Sequence, residues 1–143
     1  DHVLLKPGRL TPEEFRIMQR HTEIGFRLLS SSNWEILDLG ASIALTHHEK
    51  FNGSGYPRGL AGTDIPVEGR IAAVADVFDA LTSDRVYKKA MPVSQAVAIL
   101  EEGRGLHFDP MFLDLFLASL AEIDELRQRY ADHGPVDKDR SVQ

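Results

Sequence analysis

The apolar residues that mark most of this chain's segments recur at intervals of three and four, and no strand pattern appears. Side chains spaced that way share one face of a helix, whereas a half-buried strand needs a period of two. The expected class is therefore all-α, a helical bundle. With 143 residues, 43% of them hydrophobic, the chain is long enough for one domain with a proper core and too short for two.

Thr11-Pro12-Glu13-Glu14 predicts the first helix start, with Thr11 as N-cap, Pro12 at the first helical position and Glu14 closing a capping box. Phe15, Met18, Gly25 and Leu28 follow at threes and fours, and His21 falls inside that series, so its side chain is expected to point inward. A second helix is expected from about Trp34 to His48, with Asn33 as a candidate cap. Its small residues Gly40, Ala41 and Ala44 would let a neighbouring helix come close. Pro66 opens a third, with Val67, Ile71, Val74, Phe78 and Leu81 as its stripe. A fourth spans Val93 to Glu102 and stops at Gly103. Asp109-Pro110 caps a fifth, running through Met111, Leu113, Leu115, Phe116, Leu117 and Leu120, too apolar for a surface helix. Residues 1–10 read as a loop, the domain as 1–130, and 131–143 as a polar, frayed tail.

The absence of cysteine removes disulfides, thiol nucleophiles and Cys-based zinc sites, so any metal must sit on imidazole and carboxylate. A net charge of -6 argues against a general DNA or RNA binder, which needs clustered excess Lys and Arg. No apolar run approaches membrane-spanning length, and the first residues lack a signal pattern, so a cytoplasmic location is expected.

The most informative passage is His47-His48-Glu49-Lys50-Phe51-Asn52-Gly53-Ser54-Gly55-Tyr56-Pro57. Adjacent histidines project about 100° apart, so both can face one cavity only near a helix end that looks toward other helices. Standing alone, the pair would read as one packed and one solvated imidazole, and a lone inward His21 as a satisfied core residue. The loop from Lys50 to Ile65 is longer than the typical connection, and its Gly-x-Gly lacks the preceding strand of a nucleotide fingerprint. Asp76 lies off the apolar stripe of its helix, among Ala72, Ala73 and Ala80. That face is either solvent or one where the carboxylate meets a cation. His107, just before the Asp109 cap, is most simply a loop residue bonded to its own turn. Together His21, His47, His48 and Asp76 make a candidate ligand set from three helices, of a kind that suits iron, manganese, zinc or nickel better than calcium or magnesium.

That passage, with Arg70-Ile71-Ala72-Ala73-Val74-Ala75-Asp76-Val77-Phe78-Asp79-Ala80-Leu81-Thr82-Ser83-Asp84-Arg85 and Gly105-Leu106-His107-Phe108-Asp109-Pro110, closely resembles the HD-GYP branch of the HD-domain metal-dependent phosphohydrolases. The resemblance covers roughly residues 1–120. It implies an all-helical bundle that hydrolyses cyclic di-GMP to pGpG or GMP at a di- or trinuclear centre, with iron or manganese as the metal. It also implies that His21, His47 and His48 are metal-binding histidines and Asp76 the carboxylate ligand. Gly55, Tyr56 and Pro57 match the loop that names the branch, and Arg85 and Lys88 match positions that contact ligand phosphates. The family's His-Asp dyad, with a lysine three residues later, is expected just upstream of Asp1 and is missing here, so an upstream portion carrying a receiver or sensory region is expected. Without the dyad, the alternative is an inactive module whose Gly-Tyr-Pro loop docks GGDEF-type cyclase domains.

Overall fold

Thr11 Oγ1 accepts from the Glu14 amide at 3.3 Å, while Glu14 Oε2 accepts from the Thr11 amide at 2.7 Å and from Lys6 Nζ at 2.6 Å. The capping box read from the sequence thus starts α1, Pro12–Leu29. The bond from Lys6, ahead of those from Thr11, holds the Glu14 carboxyl below its ordinary range. The computed structural model describes residues 6, 8–31, 34–84 and 89–131. Further along lie α2 (Glu35–Thr46), a 3-10 turn (Gly62–Asp64), α3 (Val67–Thr82), α4 (Val93–Glu102), α5 (Pro110–Ala118) and α6 (Leu120–Ala131). No strand occurs among the described residues, so the all-α expectation holds. No helix among them is long and apolar enough to cross a membrane.

Helix α1 packs on α2, α2 on α3, and α3 on both α4 and α5, which makes α3 the central element. Its inner side supplies Val74 and Phe78 to a core completed by Ala96 and Leu100 of α4, Phe108, and Leu113 of α5. Phe78 meets Phe116 edge to face at 5.1 Å, an arrangement that aromatic rings favour. Arg70 of α3 ties this core to the loops on either side. Its guanidinium bonds Asp109 Oδ2 at 2.6 Å and Ile65 O at 2.9 Å, and lies 5.2 Å over the Phe112 ring. Asp109 also caps α5 through the Met111 amide.

The α1–α2 contact is close because Gly25 meets Ala44: a Cβ built at Gly25 would stand 3.1 Å from that of Ala44. Small residues on α2 do admit a neighbour, as expected.

Several sequence expectations are corrected. In α1 only Thr22 is buried; Phe15 is 45% and Leu28 73% exposed, and His21 is exposed too. Helix α2 is the main helical partner of α1, too little to bury a whole stripe. Helix α2 ends at Thr46, not His48, and is capped by Trp34 without a side-chain bond; Asn33 lies outside the described residues. Val67 and Ile71 are half exposed, because the apolar stripe of α3 is covered only from Val74 onward. The expected single helix through Leu120 breaks at Ser119. Leu113 is fully buried, but Met111 and Leu115 are 55% and 59% exposed. Residues 1–5, 7 and 132–143 of the expected opening loop and tail lie outside the described residues.

Candidate metal centre

Because α2 ends at Thr46, His47 becomes its C-cap, with its amide bonded to Ile43 O at 3.0 Å, and His48 follows in the turn. His47 Nδ1 lies 3.0 Å from the carbonyls of both Ile43 and Ala44. A carbonyl only accepts, so Nδ1 carries the proton. On α1, His21 Nδ1 stands 2.7 Å from Met18 O and is assigned as the donor for the same reason. In a neutral ring each Nε2 is then left with a lone pair, and the two face each other at 3.4 Å. Two lone pairs so placed repel unless they share a cation. Two imidazole nitrogens at about 2.1 Å from one ion, held at a tetrahedral angle, stand roughly 3.4 Å apart. With His48, the three rings offer ligand atoms that all lie within 4.8 Å of one another. These residues fit a transition metal: the spacing suits it, and backbone carbonyls fix which nitrogen is free.

His48 is held neutral. Burial, then the neighbouring His47 and His21, push its pKa down to about 4, against an opposing pull from Asp76. His107 is depressed to about 4 by burial and then by Lys50, again opposed by Asp76, and its ring stacks on Phe108 at 4.3 Å. Asp76, on α3, is exposed and stands outside the close group of three ligand atoms. Its charge nevertheless reaches His48, His107 and Tyr56. So α1, the end of α2, α3 and the turn before α5 all present polar groups to one region.

The Gly-Tyr-Pro loop closes that region. Gly55 runs against the backbone of Glu49 and Lys50, where any Cβ would overlap atoms of both residues. This brings the Tyr56 ring to 4.8 Å from that of His48 and 5.8 Å from that of Phe15, ahead of a cis Tyr56-Pro57 bond. Burial, then the Asp76 charge, push the Tyr56 phenol up to about 12, so it keeps its proton. Arg85 and Lys88 lie outside the described residues.

Two residues have roles here that the sequence reading did not give. Glu49 is 2% exposed, and its two carboxylate oxygens accept from the amides of Arg58 at 2.8 Å and Leu60 at 3.0 Å, pinning the loop. His107 acts electrostatically on His48 as well as serving its own turn.

A helical domain that gathers imidazoles from two helices around one point, with a carboxylate on a third nearby, defines a histidine-based metal-binding scaffold. The sequence matches the HD-domain family over residues 2–112, and the chain belongs to that family, in its HD-GYP branch. It is 53% identical over 132 residues to a cyclic di-GMP phosphodiesterase of Thermotoga maritima, covering 92% of this chain and 36% of that protein. The cyclic di-GMP phosphodiesterase response regulator RpfG of Xanthomonas campestris is 52% identical over 126 residues, 88% of this chain and 33% of its own. A 3'3'-cGAMP-specific phosphodiesterase 2 of Vibrio cholerae is 43% identical over 132 residues, 92% and 25% respectively. The chain thus spans about a third or less of the length of these curated relatives.

Proposed function

We propose that this chain is the metal-holding part of a phosphodiesterase that hydrolyses cyclic di-GMP to pGpG or GMP in bacterial signalling. The observation that carries the reading is the pair of facing Nε2 lone pairs on His21 and His47, 3.4 Å apart, an arrangement suited to a shared cation. The names of the Thermotoga and Xanthomonas relatives support the substrate.

His21, His47 and His48 would hold the metal, with Asp76 as the carboxylate ligand, and iron or manganese in a di- or trinuclear arrangement suits this donor set. Such ions, when bound, supply Lewis-acid stabilisation of the phosphodiester oxygens and a water nucleophile at neutral pH. Burial and the neighbouring imidazoles keep His48 unprotonated and so able to ligate, against the pull of the Asp76 charge. Tyr56, protonated at neutral pH, can donate to a phosphate oxygen. Arg85 and Lys88 are assigned to the non-bridging phosphate oxygens, where fixed positive charge offsets the charge that builds during displacement. The 143 residues contain no His-Asp pair, and hydrolysis is proposed for a protein that includes one. An upstream receiver or sensory domain, a cytoplasmic setting and docking of GGDEF-type cyclases belong to the same reading, and RpfG's name as a response regulator supports the first.

The test is anaerobic purification of the full-length protein with iron or manganese, followed by metal analysis and a cyclic di-GMP hydrolysis assay. Conversion to pGpG or GMP that stops in His47→Ala, together with metal loss, is the expected result. Cyclic di-GMP left intact by metal-loaded protein overturns it.

A further inference from the structure

Against Tyr56 lies a groove of about 210 Å³ lined by Arg16, Gln19, Arg20 and Glu23 of α1 with Tyr56 and Pro57. The four α1 residues fall at intervals of three and four, so they form one stripe facing the loop. Arg16 is within 4.0 Å of Glu13. By contrast, the side chains of Gln19, Arg20 and Glu23 make no hydrogen bond or ion pair among the described residues, although they line a concavity. Tyr56 belongs to both places, with its ring 4.8 Å from His48. The same side chain thus touches both the groove and the imidazole cluster.

We infer that this groove reads one base of the cyclic dinucleotide, and that Arg20 and Glu23 make it select guanine over adenine. The inference rests on the phosphodiesterase reading above. Guanine presents two acceptors, O6 and N7, on one edge, and two donors, N1–H and the N2 amino group, on the adjoining one. Arg20 supplies the paired donors for the first edge and Glu23 the paired acceptor for the second. Side chains three apart on a helix stand about 5–6 Å apart at Cβ, which suits neighbouring edges of a single base. Tyr56 and Pro57 give the base a flat apolar wall. Adenine reverses the pattern, with an amino group where Arg20 needs an acceptor and a bare N1 where Glu23 needs a donor. Relatives of this chain include both cyclic di-GMP and 3'3'-cGAMP-specific phosphodiesterases, which differ in one base.

The experiment compares full-length wild type, Arg20→Ala and Glu23→Gln on cyclic di-GMP and on bis(p-nitrophenyl) phosphate, a diester without a base. Equilibrium binding of GMP and AMP is measured alongside. The ratio of cyclic di-GMP to bis(p-nitrophenyl) phosphate turnover is expected to fall about tenfold or more in each variant, through KM. The GMP-over-AMP preference should shrink with it. An unchanged ratio with an unchanged preference overturns the groove assignment. A wild type that cleaves only the simple diester overturns the phosphodiesterase reading instead, and the groove is then decided by the GMP-over-AMP preference and its loss in Glu23→Gln.

Discussion

Gly55 runs so close to Glu49 that a side chain there would put its Cβ 2.5 Å from the Glu49 Cα, and this contact seats Tyr56 beside His48. Gly55→Ala must displace the loop backbone, at a cost of about 1–3 kcal/mol. A thermal melt should show the lower midpoint, and tyrosine fluorescence should report Tyr56 leaving its ring contacts.

Glu49→Gln keeps the volume but turns an NH2 group toward one of two amide donors. Hydrogen bonds to a charged, buried acceptor contribute about 1.5–3 kcal/mol, so a loss on that order is expected in urea unfolding. Amide hydrogen exchange at Arg58 and Leu60 should accelerate in the same variant.

Arg70 and Asp109 form an ion pair with only 10% and 7% of their side chains exposed. Arg70→Ala strands a buried carboxylate and should cost about 3–5 kcal/mol in the midpoint-derived stability. Asp109→Asn introduced into that variant should recover part of the loss, since the amide can still cap α5 without carrying charge.

Gly25 sets how closely α1 approaches α2, and therefore how far His21 stands from His47. Gly25→Val should push the helices apart and weaken manganese or iron binding by about tenfold or more, as changes behind a ligand do. Isothermal titration checks it, with circular dichroism verifying that helix content is kept.

Metal-free protein should lose stability in mild acid. His48 and His107 have folded values of about 4, against about 6.5 for an ordinary imidazole, so between those limits the unfolded chain binds more protons. Stability is then fully present above pH 6.5 and declines as the pH falls toward 4. Unfolding midpoints across that range should follow this slope, and His107→Gln should make it shallower.

The helices were legible where chemistry marks their ends. Helix α4 runs from Val93 to Glu102 as read, because Pro92 and Gly103 bracket it, and α1 begins where Thr11 and Glu14 form their reciprocal bonds. The break at Ser119 carries no glycine or proline and could not be read from local pattern. Burial in α1 was overestimated because periodicity says which residues share a face, not whether another element covers it. Of the site, the residue types and their order were visible. The facing of His21 and His47 was not, since it depends on how two helices cross at Gly25 and Ala44. The role of Glu49 was hidden because its partners lie 9 and 11 residues further on, beyond any helical or strand period.

His47 is also the point at which α2 stops. The terminal carbonyls of a helix gather roughly half an elementary negative charge at that end. Ile43 and Ala44 turn theirs toward the His47 ring, so this pole sits beside the imidazoles. That pole disfavours an anion at the spot where it favours a cation. On the proposed phosphodiesterase reading, that polarity favours binding of the cation before the phosphate.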